Sequence, residues 1–372
     1  MSTRIVAKCG TSLLTKPGVG VDESYIRALT ATVAELMRDG IQPVMVISGA
    51  VAMGRTILGG DESNSTVSRQ VLAAVGQSPL MSVFEDAFKG LGITVAQTLL
   101  SRAALEDRRG YLNARNTLLA LLDRGIVPVA NENDVVATEE LHFGDNDALS
   151  ALVANLVDAD LLVMMTDVEG YMRPDDDGAM KLVSVTDRIT DEMMSAAGGA
   201  ASSAGTGGMK TKLEAAGLAT AHGATAAIVD GRDPKNLLRL VRGERVGTTV
   251  SASGSRRESR KRWMLTDLAL RGRVRIDEGA VDALAKNGRS LLPAGVMGVE
   301  GQFDRGDLVA VVGPDNSVIA HGLTNYGVED LSRVMQHDSS AIADILGYEY
   351  GQEVVHRNNL VLMPSIQHDV AD

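Results

Sequence analysis

The 372-residue chain is notable first for what it lacks. It has one cysteine, Cys9. One thiol cannot form an internal disulfide, so a disulfide-stapled fold is excluded and a reducing cytoplasm is expected. Aromatic residues make up 3% of the chain, which weakens any reading that needs stacking platforms for nucleic-acid bases. Positive charge is in deficit: 36 Lys and Arg against 48 Asp and Glu leave a net charge of −12. Neutralising nucleic-acid phosphates or an anionic membrane surface needs the opposite sign. No apolar run reaches the roughly 20 residues of a membrane span. No basic stretch leads into an apolar core at the start, so no secretory signal is expected. Six scattered histidines with a single cysteine give no zinc-ligand spacing.

What remains is an ordinary soluble composition, 45% hydrophobic and 23% charged, at a length that predicts two domains. Over the first ~250 residues strand-like and helix-like segments alternate. "TRIVAK" precedes a helix from about Asp22 to Asp39, with Asp22 as N-cap and Gly40 as the closing glycine. "QPVMVI", "ITVAQTLL", "IVPVA", "DLLVMM" and "TAAIVD" read as further strands with helical segments between them. That alternation predicts an α/β fold, a mostly parallel sheet sandwiched by helices. Near Gly247 the composition changes, and "GTTVSASGSRRESRKRW" reads as a linker. Short β-like pieces follow, among them "RVRID", "LVAVVG", "VIAHGL" and "EVVHRNNLVLM", with a helix near "VEDLSRVM". The expected domains are 1–254, a linker over 255–273, and a small β-rich domain over 274–372.

The strand ends carry the chemistry. Lys8 and Gly10 follow the first strand, Ser48 and Gly49 the second, and Asn131 to Asp134 follow "IVPVA". Thr166 and Asp167 follow "DLLVMM", and Asp230 and Gly231 follow "TAAIVD". Turns alone favour Gly, Asn and Asp. Five such ends together describe one site, because open α/β sheets bind ligands beyond the carboxyl ends of their strands. "AKCGTS" places its lysine before the glycine, so it is not the G-x-x-x-x-G-K-[ST] phosphate loop. "FGDNDALS" sets Asp145, Asn146 and Asp147 before an apolar helix, which is more acid and amide than a helix cap needs. With "NENDVVAT" it offers carboxylates for an amine and amides for a carboxylate, as an amino-acid substrate requires. "AGTGGMKTK" combines glycines, a helix start and Lys212, a setting for phosphate. Two lysines, Lys8 and Lys212, converging from opposite ends of the domain fit phosphoryl transfer.

With these motifs, and with "VISGAVAMGR", "LLVMMTDVEGYM", "RKRWML", "GRSLLPAGV" and "LGYEYGQEVVHRNNLVL" in order along the chain, the sequence resembles the glutamate-phosphorylating branch of the amino acid kinase family. The resemblance includes a C-terminal PUA domain. The resemblance covers essentially the whole chain. It implies ATP-dependent phosphorylation of the γ-carboxylate of L-glutamate, the first step of proline synthesis, with Mg²⁺ carried mainly on the ATP phosphates. It casts Lys8, Asp147 and Lys212 as catalytic residues. Ser48, Asn131, Asp134, Asp145 and Asn146 fall at or beside the glutamate positions. The ATP segments are Lys8 and Gly10, Thr166 and Asp167, and Thr206, Gly207, Gly208, Met209, Lys210, Thr211 and Lys212. The resemblance also implies feedback inhibition by proline, homo-oligomers, and hand-off of a labile acyl phosphate to a glutamyl phosphate reductase. Cys9 stands where an aliphatic residue is expected, and Lys210 adds a charge where small residues are usual. PUA domains often bind RNA, but from Arg275 onward 6 Lys and Arg face 15 Asp and Glu, a net of −9. That sign disfavours RNA as the main ligand.

Overall fold

The computed structural model describes residues 3–16, 19–59, 66–136, 146–175, 177–197, 208–252 and 270–363. The chain divides into two compact units, Met1–Ser259 and Arg260–Asp372. In the first unit the strands are β1 Arg4–Cys9, β2 Thr15–Lys16, β3 Gly20–Val21, β4 Gln42–Ile47, β5 Val95–Leu100, β6 Val127–Glu132, β7 Leu161–Thr166, β8 Met172–Pro174, β9 Met180–Leu182, β10 Val185–Thr186, β11 Thr225–Asp230 and β12 Thr248–Val250. The helices are α1 Thr11–Leu14, α2 Glu23–Arg38, α3 Ala50–Leu58, α4 Thr66–Lys89, α5 Arg102–Glu106, α6 Arg108–Asp123, α7 Asn146–Leu156, α8 Asp191–Ala197, α9 Met209–Ala221 and α10 Lys235–Val241.

Eight strands form one sheet in the order β10-β12-β11-β7-β1-β4-β6-β5. The mostly parallel sheet expected from the alternation is present: every pair is parallel except β11 with β12. β1 lies between β4 and β7, the place where the strand order reverses direction and where such sheets open a crevice. Helices cover both faces. Ile5, Ala7 and Cys9 of β1 pack in one core with Ile26, Leu29, Val33 and Leu36 of α2 and Phe84 and Phe88 of α4. Val6 packs in the other core, with Leu149 and Val153 of α7 and Leu213 and Ala216 of α9. Strand side chains alternate, so Lys8 shares Val6's face and points to the α7 and α9 side.

Two local features shape the chain beyond β4. Gly49, at φ +113°, turns the chain from β4 into α3, a backbone conformation that disfavours side chains. Then α3 and α4 cross at glycines. A Cβ on Gly76 would lie 1.9 Å from the Ala50 carbonyl oxygen, and one on Gly54 would lie 1.9 Å from that of Leu72. The helices therefore touch backbone to backbone. The 24-residue α4, with Pro79 inside it, was not anticipated from the sequence.

The second unit holds a five-stranded sheet of β13 Gly272–Ile276, β14 Val296–Gly301, β15 Leu308–Val312, β16 Val318–Leu323 and β17 Leu360–Leu362, in the order β14-β13-β15-β16-β17. Only β13 and β15 run parallel. The expected helix near "VEDLSRVM" is Val328–Val334. The expected strand "EVVHRNNLVLM" is interrupted. Val355 bridges Leu291, a turn of 3-10 helix spans Arg357–Asn359, and β17 follows. Among the described residues no helix is long and apolar enough to cross a membrane.

Candidate active site

Lys8 sits inside a regular strand rather than on a loop. It pairs in register with Val46 of β4 and Met164 of β7, so its backbone is fixed on both sides. Its ammonium meets Asp147, the second residue of α7, with Nζ 2.6 Å from Oδ1. Lys212, in the first turn of α9, places its Nζ 3.1 Å from Oδ2 of the same carboxylate. The Thr211 hydroxyl lies 3.0 Å from that Oδ2 and 2.9 Å from the Gly208 carbonyl. Asp147 is fully buried, and Lys8 and Lys212 are 3% and 7% exposed. The trio carries one more positive than negative charge. An anionic group arriving between the two ammoniums would be attracted there.

α7 is held at both ends. At its C-terminus the buried Arg115 of α6 donates to the Leu156 carbonyl, and its Nη2 lies 2.6 Å from Oδ2 of Asp158. A guanidinium suits the negative end of a helix dipole and forms a rigid fork. Burial pushes the Arg115 pKa down from its ordinary value, with Tyr111 opposing. At the N-terminus, Asn146 Nδ2 lies 2.9 Å from the Ile47 carbonyl, 2.7 Å from Ser48 Oγ and 3.0 Å from Asn131 Oδ1. Asn131, at the end of β6, uses Oδ1 to accept from the Glu132 N–H and Nδ2 to donate to Gln77 Oε1 at 2.7 Å.

The structure thus brings Lys8, Asp147, Lys212 and Thr211 together in one cluster, and Ser48, Asn131 and Asn146 in an adjoining one. Asp134 lies half-buried beyond β6, and Gly10 leads into α1. Thr166 is buried at the end of β7, with Oγ1 3.2 Å from Oδ1 of the exposed Asp167. Its carbonyl accepts from Gly231, whose own carbonyl accepts from the Tyr25 hydroxyl at 2.6 Å. Gly208 and Met209 are half-buried at the start of α9, and Lys210 is exposed. Asp145, Thr206 and Gly207 lie outside the described residues. Cys9 faces the other core beside Met165. Burial pushes its thiol up to about 12, although the charge on Lys8 pulls the other way. Among the described residues no group of three or more His, Cys, Asp and Glu could hold a metal ion.

Two contributors were not singled out from the sequence, Arg115 and Gln77. A buried arginine in an amphipathic helix looks like a surface charge until its partner at the end of the next helix is known. Gln77 lay in a segment whose helix itself was missed.

The chain belongs to the amino acid kinase family, whose model matches residues 3–230. A PUA domain model matches residues 272–346. Among curated relatives, the glutamate 5-kinase of Dehalococcoides mccartyi (strain CBDB1) is 46% identical over 366 residues, covering 97% of this chain and 98% of that one. The glutamate 5-kinases of Geobacter sp. (strain M21) and Burkholderia multivorans (strain ATCC 17616 / 249) are each 46% identical, over 97% of this chain and 97% and 98% of theirs.

Proposed function

We propose that this protein transfers the γ-phosphoryl group of ATP to the γ-carboxylate of L-glutamate, giving L-glutamyl 5-phosphate in the first step of proline synthesis. One observation carries the reading. The Lys8–Asp147–Lys212 cluster adjoins an amide and hydroxyl cluster, and the two meet at the Asn146–Asp147 peptide. The first suits a phosphoryl group in flight, and the second suits an amino acid. Relatives named glutamate 5-kinase, nearly half identical over almost the whole length, support the same acceptor.

In this reading a carboxylate oxygen of glutamate attacks the γ-phosphorus. The bond from that phosphorus to the β,γ-bridging oxygen breaks, and ADP leaves with the electron pair. A carboxylate is already ionised at pH 7, so no general base is required. Lys8 and Lys212 neutralise charge on the transferring oxygens, and Asp147 keeps two mutually repelling ammoniums in place. Gly10, Thr166, Asp167 and the start of α9 hold the nucleotide, with Thr206 to Lys212 around its phosphates. Mg²⁺ supplies further charge neutralisation when carried in on those phosphates. Ser48, Asn131, Asp134, Asp145 and Asn146 hold glutamate. Proline as feedback inhibitor, a homo-oligomer, hand-off to a glutamyl phosphate reductase and a cytoplasmic location belong to the same proposal.

The test is ADP release with L-glutamate, N-acetylglutamate and aspartate. L-glutamate turns over far faster than N-acetylglutamate, because acetylation removes the ammonium that the site pairs. Equal kcat/KM for the two would refute the assignment.

A further inference from the structure

The amides of Asn146, Asn131 and Gln77, gathered beside the end of β4, can be oriented atom by atom. The Ile47 carbonyl only accepts, so the nitrogen of Asn146 must face it. The Glu132 N–H only donates, so the oxygen of Asn131 must face it. The nitrogen of Asn131 is then the group turned to Gln77, and Gln77 must answer with its oxygen. Each choice forces the next. What is left over is one donor, Gln77 Nε2, and one acceptor, Asn146 Oδ1. Both atoms are buried, and neither has a hydrogen-bond partner among the described residues. Buried amide atoms are almost always paired. Two that are not, of opposite sense and joined by one relay of three amides, suit a ligand that brings the complementary groups.

We propose that Gln77 is a further residue of the acceptor site, donating from Nε2 to the α-carboxylate of glutamate while Asn146 Oδ1 accepts from the α-ammonium. The inference rests on glutamate being the acceptor. An α-amino acid carries an anion and a cation on one carbon, which answers a donor and an acceptor in a single step. The γ-carboxylate has a different destination, the ammoniums held by Asp147. Asp147 directly follows Asn146, whereas Gln77 stands at the far end of the relay, beyond Asn131. Gln77 therefore reads the α end. Its place is set by the helix crossing, since its neighbour Gly76 lies against the backbone of α3, which begins two residues after Ser48.

Two variants test this in the full-length protein. Gln77→Glu keeps an oxygen for Asn131 and replaces the donor with a second anion. Gln77→Leu removes both groups. Losing a hydrogen bond to a charged group raises the KM for L-glutamate about 10- to 100-fold, while KM for ATP and kcat stay within about threefold. A structural role would not produce that split. The second measurement is the ratio of kcat/KM for L-glutamate to that for its α-amide, L-isoglutamine. Gln77→Glu lowers the ratio at least about tenfold relative to the parent, because an amide donates to the new carboxylate and a carboxylate is repelled. An unchanged glutamate KM, an equal rise in the KM for ATP, or an unchanged ratio overturns the proposal. Should Gln77→Leu fail to fold, the closely isosteric Gln77→Glu decides alone. A parent protein that does not phosphorylate glutamate would instead remove the acceptor assignment itself.

Discussion

Asp147→Asn separates chemistry from architecture. The substitution keeps the shape of a side chain that is fully buried but removes the charge shared by Lys8 at 2.6 Å and Lys212 at 3.1 Å. At an effective dielectric of about 20, each contact is worth on the order of 5 kcal/mol before desolvation. Removing one partner of a buried ion pair typically costs about 3–5 kcal/mol net. A domain of this size loses about 2–4 °C of Tm per kcal/mol, so the variant should melt roughly 10 °C lower. It should still fold, because domain stabilities run to about 5–15 kcal/mol. Turnover falls further than stability alone explains, by about 10²-fold or more in kcat, as for removal of one preorganised electrostatic group. KM for glutamate changes little, because the lost interaction serves the transition state. A sign distinguishes this from simple damage. Neutralising Asp147 makes the surroundings of the two ammoniums one charge more positive, so ATP raises Tm more in the variant than in the parent. Steady-state kinetics and melting curves with and without ATP read all three effects. A folded variant with normal kcat would remove Asp147 from the catalytic residues and leave it a structural ion pair.

Gly76→Ala forces α3 and α4 apart, since its Cβ would stand 1.9 Å from the Ala50 carbonyl oxygen. It should cost about 1–3 kcal/mol in chemical denaturation and raise KM for glutamate, and an unchanged denaturation midpoint would count against the close crossing. Cys9, buried and with its thiol pushed up to about 12, stays unreactive to a disulfide reagent at pH 8 in the native protein and titrates as one thiol in denaturant. Fast native labelling would mean that β1 opens. Asp22 caps α2 through the Tyr25 N–H and lies 2.7 Å from the Lys16 ammonium. Hydrogen bonding from Lys16, then from Ser24, holds its pKa near 2 against an ordinary 3.8. Asp22→Ala therefore costs about 1 kcal/mol near neutral pH. A depressed carboxylate pKa gives stability that is present above 3.8 and lost as pH falls toward 2, so the gap to the parent narrows in acid. A gap that widens there would contradict the assignment.

Legibility in the sequence followed periodicity. The α2 boundaries and its Asp22 cap were readable because Ile26, Leu29, Val33 and Leu36 repeat at helical spacing between an aspartate and a glycine. The parallel strands were readable as short apolar runs, and their polar ends pointed to one site. α4 was not readable. The buried row Leu72, Leu80, Phe84 and Phe88 keeps helical spacing, but Gly76 leaves a gap in it and Pro79 argues locally for an interruption. At that gap the contact with α3 is glycine against backbone, which carries no apolar signal. Gln77 was hidden for that reason. Thr211 stood in the segment read as phosphate-binding, but its proximity to Asp147 depends on where α9 meets α7, which only the fold decides. The strand β12, antiparallel to β11, was absorbed into what read as the start of a linker.

The proposed site joins two parts, a phosphate side and an acceptor side, whose precision has different origins. On the phosphate side, Lys8 points toward α7 because β1 is locked in register by β4 and β7, and a slip of one residue would turn Cys9 to that face instead. Arg115 anchors the far end of α7, so Asp147 is carried on a helix fixed at both ends. On the acceptor side, Asn131 extends from the sheet, Ser48 and Gly49 lead into α3, and Gln77 comes from α4, which packs on the opposite face from α7 and α9. The two parts meet at a single peptide, Asn146–Asp147. A change that loosens the α3–α4 crossing disturbs the amides without shifting β1, and its effect falls on KM for glutamate. A change within the Lys8–Asp147–Lys212 cluster leaves the amide relay intact, and its effect falls on kcat. Combining Gly76→Ala with Lys212→Met should therefore give nearly additive losses in the logarithm of kcat/KM, as for sites without shared partners. Strong non-additivity would mean that the Asn146–Asp147 peptide transmits strain between them and that the two parts act as one.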